Sequence, residues 1–219
     1  MLNPSAVAIW ERIDGHTPLN EIAVLYRAHY HSMELQMELT RRRIPFEIRS
    51  GIRFFEQAHV KDVVSYLRID ENPRDELAWR RVLGLYPKIG KVTIDKIWNL
   101  LAKQADPLQT LMEDSFLKQI PKGALTGVEK CRETIRAIRN LPKPLSPTEA
   151  VESVMKRGYA DYIRSKYTDW SSREDDLVQL AVYASKFADL EAMLSELALM
   201  TNTEEQGEGE IADMPRDRI

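Results

Sequence analysis

The sequence predicts a mainly α-helical protein with a small, incomplete α/β piece at its N-terminus, and three observations carry that expectation. From His59 onward apolar residues recur with helical spacing: Val60, Val63, Val64 and Leu67 fall at i, i+3, i+4 and i+7. Earlier, Ile22-Ala23-Val24-Leu25-Tyr26 is a nearly continuous apolar run, as expected of a strand buried on both faces of a parallel sheet. Phe46 and Ile48 then alternate with Glu47 and Arg49, the period of a half-buried strand. These two runs flank a helix-like stretch, and a β-α-β unit of about 50 residues is too small to be a complete sheet domain.

Composition sets wider bounds. The chain has 219 residues, enough for one large or two small domains. Hydrophobic residues make up 43% and charged residues 30%, which fits a folded, helix-rich protein. The net charge of −3 gives no global basic signature, so any nucleic-acid contact must come from a local patch. Cys131 is the single cysteine; an internal disulfide is excluded, and a cytoplasmic protein is the simplest expectation. It shares an apolar stripe with Val128, Ile135 and Ile138 and reads as a core residue, not a nucleophile. No apolar run reaches about 18 residues, so no membrane span is expected, and the N-terminus lacks a signal-peptide layout.

In chain order, residues Pro4 to Arg12 look helical and Gly15 to Pro18 a loop. After the first strand a helix runs from about Ser32 to Arg42, closed by Arg41-Arg42-Arg43, where cations suit the helix dipole. The second strand ends at Ser50-Gly51. Arg53-Phe54-Phe55-Glu56 forms a corner, and on packing grounds its adjacent aromatics read as core anchors. Beyond the break at Asn72-Pro73, Asp75 to Leu83 is helical with Leu77, Trp79 and Val82 apolar. Pro87-Lys88-Ile89-Gly90 is a turn; Val92 to Leu101 is the next helix, with Ile94, Ile97, Trp98 and Leu101 on one side. A further helix lies between Gly123 and Leu141, and Leu141-Pro142-Lys143-Pro144-Leu145 is a stiff connector. Ser146-Pro147-Thr148-Glu149 reads as a helix start, with Ser as N-cap, Pro at the first position and Glu three residues after the cap. Ser171-Ser172-Arg173-Glu174 repeats that logic and opens a long helix through Leu177, Leu180, Ala184, Phe187 and Leu194, bent near Asp189. The acidic, Gly-containing tail Thr201 to Ile219 reads as disordered.

Several linked motifs carry a family resemblance. Gly51, Arg53-Phe54-Phe55-Glu56, Val60-Lys61-Asp62 and Tyr66-Leu67-Arg68 resemble the signature of UvrD/Rep/PcrA-type superfamily 1 DNA helicases, where motor subdomain 2A passes into the inserted subdomain 2B. AVLYRAHYHSMELQMEL resembles that family's strand ending in Tyr-Arg and the helix after it. LGLYPKIGKVTIDKI resembles its "GIG" segment, and SELALMTNTEE the end of 2B. The resemblance implies a partial 2A-type piece at 1–55, a helical 2B-type domain at 56–200, and an acidic tail at 201–219 leading back to 2A. It implies an ATP-dependent, 3'-to-5' DNA helicase of repair or replication. These residues would supply part of its single-strand track and the regulatory subdomain that touches duplex. The implied partners are single-stranded DNA, duplex DNA and the rest of the helicase chain.

ATP and Mg²⁺ would belong to that parent. No G-x-x-x-x-G-K-[ST] loop occurs in the sequence, so no catalytic residue or cofactor is expected in the fragment itself.

The resemblance also points to DNA-binding residues. Arg27 and Arg53 match basic positions of the single-strand track, and His29 stands where the family usually has Asn. Strand ends are where ligands meet an open α/β sheet, and guanidinium pairs well with phosphate; a surface ion pair is the alternative for each arginine. Lys61 belongs to the same signature. The second candidate is Lys88-Ile89-Gly90-Lys91, a Gly-containing turn opening a helix, where backbone N–H groups and the positive dipole end suit a phosphate. The family's glycine before Ile is Lys88 here, and a plain helix–turn–helix connector is the alternative. His29-x-His31 does not read as a metal site, because i and i+2 point apart on a helix. Two other functions stay open: a helical adaptor recruiting a partner through the acidic tail or a Trp79/Trp98 surface, and the matching part of a RecB/AddA-type nuclease-helicase.

Overall fold

The structure, a computed structural model, describes residues 22–26, 29–42, 44, 46 and 54–198. The chain falls into two compact units: one ends at Gln57 and resumes at Glu196, and the other is Ala58–Ser195.

In the first unit, helix α1 spans His29–Arg41. Glu38 binds the end of it, accepting from Arg41 Nη2 and Arg42 Nε at 2.5 Å each. Those two cations are therefore already paired; the Arg42 bond is the main reason the Glu38 carboxyl lies below its usual range. Phe54–Glu56 forms a 3₁₀ turn with Phe54 buried, its ring edge-on to Phe55 at 5.0 Å. The packing expectation for the aromatic pair holds for Phe54; Phe55 is half-buried. The strand expectation does not hold. Residues 22–26 have no regular secondary structure, and Leu25 is 96% exposed. A strand exists by its ladder partners, and these residues meet none among the described residues. Residues 47–49 of the second expected strand, the helix at 4–12 and the tail at 201–219 lie outside the described residues.

The second unit is helical throughout its regular structure. Its central element is α2, Ala58–Glu71. Val60, Val63 and Leu67 are fully buried, each such side chain contributing about 1.5–3 kcal/mol. Around α2 pack α3 (Glu76–Leu83), α7 (Lys122–Arg139), α8 (Pro147–Val154) and α10 (Trp170–Ala184). Asp75 caps α3 by accepting from Ala78 N at 3.0 Å. Trp79 and Val82 are fully buried, but Leu77 is 72% exposed: two residues from Trp79 it points to the opposite side. The Trp79 indole donates to Pro73 O at 2.9 Å, and Trp98 is also buried. The expected Trp79/Trp98 surface is thus core, not a docking face.

Next comes α4, Lys91–Leu101, with Ile97, Trp98 and Leu101 buried. Two short helices follow, α5 (Pro107–Met112) and α6 (Asp114–Leu117); Asp106 caps α5 and Pro107 opens it. Val128, Cys131, Ile135 and Ile138 of α7 are buried as their spacing predicts. Ser146 caps α8 by accepting from Glu149 N at 3.4 Å, with Pro147 at the first turn. The helix then kinks at Arg157-Gly158, where Gly158 takes φ 105, and continues as α9, Ala160–Lys166.

At α10 the expected cap shifts. The helix begins at Trp170, so Ser171 lies inside it, and Asp169 flanks the start, accepting from Arg173 Nε at 2.9 Å. An acid there suits the positive end of the helix. The bend expected near Asp189 is a break: α10 ends at Ala184, and a helix resumes at 190–198 with Asp189 Oδ1 accepting from Ala192 N at 2.9 Å. Among the described residues, no helix is long and apolar enough to cross a membrane.

Candidate nucleic-acid interface

The turn between α3 and α4 is built to hold one strained residue in place. Tyr86 N donates to Leu83 O and Ile89 N to Tyr86 O, both at 3.3 Å. Between them Lys88 adopts φ 65, the one positive φ of a non-glycine residue among the described residues. For a residue with a Cβ the left-handed region costs roughly 1–2 kcal/mol, and such strain persists where the surroundings over-determine it. Two anchors do so. Ile89 is 5% exposed, and the Tyr86 hydroxyl bonds the buried Tyr66 hydroxyl at 2.7 Å.

Beyond the anchors everything faces outward. Gly90 is the N-cap of α4, extended at φ −90 and ψ 175, with no side-chain cap bond. The first intrahelical bond is Ile94 N to Gly90 O at 2.9 Å. The N–H groups of Lys91, Val92 and Thr93 therefore have no intrahelical partner, and they sit at the positive end of an 11-residue helix. Lys88, Gly90 and Lys91 are exposed, and neither lysine enters an ion pair among the described residues. One acid lies further along α4, Asp95, and Arg80 binds it at 2.5 Å while also holding Glu76 at 2.6 Å. What the turn offers is a row of backbone donors flanked by two unpaired amines: chemistry for a phosphate, with nothing placed to read a base edge.

A sequence profile of the UvrD-like helicase C-terminal domain matches residues 6–214. The chain belongs to that family. It is 25% identical over 216 residues to "ATP-dependent DNA helicase PcrA" of Bacillus subtilis, an alignment covering 94% of this chain and 29% of that protein. It is 27% identical over 226 residues to "DNA helicase II" of Escherichia coli, covering 97% and 30%. A shorter match, 43% over 79 residues, is to "Probable DNA helicase II homolog" of Mycoplasma capricolum, covering 36% of this chain. The chain spans less than a third of the length of these relatives.

In this UvrD-like domain, the expected site residues fall into three groups. Lys88, Ile89, Gly90 and Lys91 come together in the turn, with Ile89 as its buried anchor and not a surface contact. Lys61 is exposed on the first turn of α2, and among the described residues no hydrogen bond or ion pair joins it to the turn. Arg27 and Arg53 lie outside the described residues; the backbone of His29 opens α1, and its side chain lies outside the description. Among the described residues no group of three or more His, Cys, Asp or Glu is arranged to hold a metal ion.

Sequence reasoning missed a second polar cluster, centred on His59. His59 Nε2 meets Asp176 Oδ2 at 3.1 Å, and Nδ1 meets Arg173 Nη1 at 3.1 Å. Arginine only donates, so Nδ1 is the acceptor and Nε2 carries the hydrogen given to Asp176. Tyr159 donates to Asp62 Oδ2 at 2.7 Å and to His59 O at 3.3 Å. Burial, then the Asp62 carboxylate, push that phenol well above its usual range. Arg81 completes the cluster, giving Nε to Asp62 Oδ1 at 2.7 Å and Nη2 to Ala58 O at 3.2 Å. His59 and Asp176 are 117 positions apart, and no local spacing signals such a pair. Most of the cluster's donors and acceptors face one another across α2, α3, α10 and the kink before α9, so it fastens helices; among the described residues Asp176 Oδ1 alone of its buried atoms has no partner. The arginines near Trp170 are occupied too: Arg164 binds Glu174 at 2.8 Å, and Arg173 binds Asp169 and stacks on Tyr167 at 3.9 Å.

Proposed function

We propose that this chain is the 2B-type domain, with part of 2A, of an ATP-dependent DNA helicase that unwinds duplex 3'-to-5' in repair or replication, and that the Lys88–Lys91 turn grips the duplex by its phosphates. The observation that carries the proposal is the turn: uncapped N–H groups at a helix start, two unpaired lysines, and a strained residue held by the buried Ile89 and the half-buried Tyr86. The names of the matching relatives support DNA as the ligand. In this reading residues 56–200 are the 2B-type domain, within which Ala58–Ser195 is a compact unit, and residues 1–55 and 201–219 belong with 2A. Arg27, His29, Arg53 and Lys61 lie along the single-strand track, and ATP and Mg²⁺ bind elsewhere in the parent. The rival adaptor function loses one of its two proposed faces, since Trp79 and Trp98 are core residues; the other, the acidic tail, lies outside the described residues.

Fluorescence anisotropy with a short duplex tests the assignment. Binding is expected to be weak and sequence-independent, with a dissociation constant of about 10⁻⁴ to 10⁻⁶ M and a log–log salt slope of roughly −2 to −3 for two or three phosphates. Lys88→Glu with Lys91→Glu should abolish it while helical content stays unchanged. Binding indifferent to both salt and the double substitution would move the contact elsewhere, and no binding at low salt would favour the adaptor.

A further inference from the structure

The turn packs tightly on α7 at Gly127. A Cβ there would lie 2.9 Å from Ile89 Cδ1, 2.9 Å from Tyr86 Cβ and 3.3 Å from Ile89 Cγ1. Real Cβ atoms do not approach so closely, so something would have to shift. Ile89 Cδ1 is the far end of a side chain and can turn away. Tyr86 Cβ is one bond from the backbone, and its ring is tied down by the hydroxyl bond to Tyr66, so the backbone of the turn would have to move. Gly123, four residues earlier on the same helix, meets no heavy atom within 4 Å. The close approach is therefore local to the seat of the turn and is not a general property of α7.

We propose that Gly127 is a positioning residue for the duplex contact: its missing side chain lets Tyr86 and Ile89 seat on α7, and that seat fixes the backbone of Lys88 and the direction in which the α4 amides and the two lysine amines point. The inference rests on the duplex-binding reading of the turn, and extends it to a residue that touches no DNA. The aim of the donors is set through the packing at their back. Lys88 reaches its left-handed φ with Ile89 anchored at the next position; lift the anchor and the strain is no longer held.

The experiment compares the full chain with Gly127→Ala, Gly123→Ala and Tyr86→Phe, by duplex anisotropy at several salt concentrations and below every variant's melting transition. Gly127→Ala should weaken binding roughly tenfold, the weight of one charge-assisted contact, and make the salt slope shallower by about 0.9 for each phosphate lost. Gly123→Ala should leave affinity and slope unchanged. Tyr86→Phe loosens the seat without adding volume; it should weaken binding in the same direction and carries the test if Gly127→Ala does not fold. A merely structural glycine would lower the melting temperature and leave the salt slope of the folded protein alone. If Lys88→Glu with Lys91→Glu abolishes binding while Gly127→Ala and Tyr86→Phe bind with unchanged affinity and slope, the positioning role is overturned and the duplex reading stands. If the wild-type chain does not bind duplex, both fall.

Discussion

Lys61 and Asp62 are neighbours in one motif, yet they belong to opposite kinds of region. Asp62 is 4% exposed and accepts from both Arg81 and Tyr159. It is part of a cluster, with His59, Asp176 and Arg173, whose groups bond one another between helices, Asp176 Oδ1 being the one buried atom of the cluster without a partner among the described residues. Lys61, like Lys88 and Lys91, is exposed and unpaired among the described residues. Charge alone does not separate a binding region from a scaffold. What separates them is whether each charged group already has its partner. By that accounting the His59 cluster holds the unit together, and the α3–α4 turn leaves chemistry open to a ligand.

The contrast can be broken by substitution. Asp62→Ala should have the largest effect, because it takes the shared carboxylate from Arg81 and from the buried Tyr159, leaving each only its longer bond to a backbone carbonyl. Removing one partner of a buried hydrogen bond typically costs about 1–3 kcal/mol, read here as a lower urea midpoint with unchanged m-value. A loss within about 0.5 kcal/mol, as for an ordinary surface site, would mean that the cluster does not fasten the helices.

Alkaline pH should act next, and on the buried half alone. Burial pushes the Cys131 thiol up from 9.0 to about 12 and raises the Tyr66 and Tyr159 phenols as well. The unfolded thiol ionises from about pH 9 while the folded one keeps its proton. In that window the native state binds more protons, so stability falls as pH rises, by up to about 1.4 kcal/mol per pH unit for each such group. Urea melts at pH 8 and pH 10.5 measure it; Cys131→Ala should flatten the part that begins at pH 9. Stability rising with pH over this range would contradict the buried thiol.

Lys88→Gly should have the smallest effect on stability and the opposite sign. Relieving the left-handed φ should stabilise the fold by about 1 kcal/mol, while loss of one amine weakens duplex binding. If the substitution destabilises, the turn is not strained at Lys88.

Much of the scaffold was legible because helix period and caps are local. Val128, Cys131, Ile135 and Ile138 mark their buried face, and Ser146-Pro147 marks its helix start. Asp106-Pro107 carries the same start signal for the short helix α5. The period alone misled where two apolar residues compete, as with Leu77 and Trp79, since only one can face the core. It misled again at 22–26, where an apolar run says nothing of which strand will pair with it. The turn was legible as a glycine, two lysines and a helix start. Gly127 and the His59 cluster were not, because their partners come from distant parts of the chain and leave no spacing behind.

The burial of Cys131 has a practical consequence. Wrapped in α7's apolar face and protonated to about pH 12, the sole thiol of the sequence is shielded from the thiolate chemistry of maleimide and methanethiosulfonate reagents. The natural sequence is then already a silent background for site-specific labelling. A single new cysteine at an exposed position, such as Lys91→Cys, would be the one reactive site, and a dye or spin label placed there would report the motion of the turn with no need to remove the native thiol first.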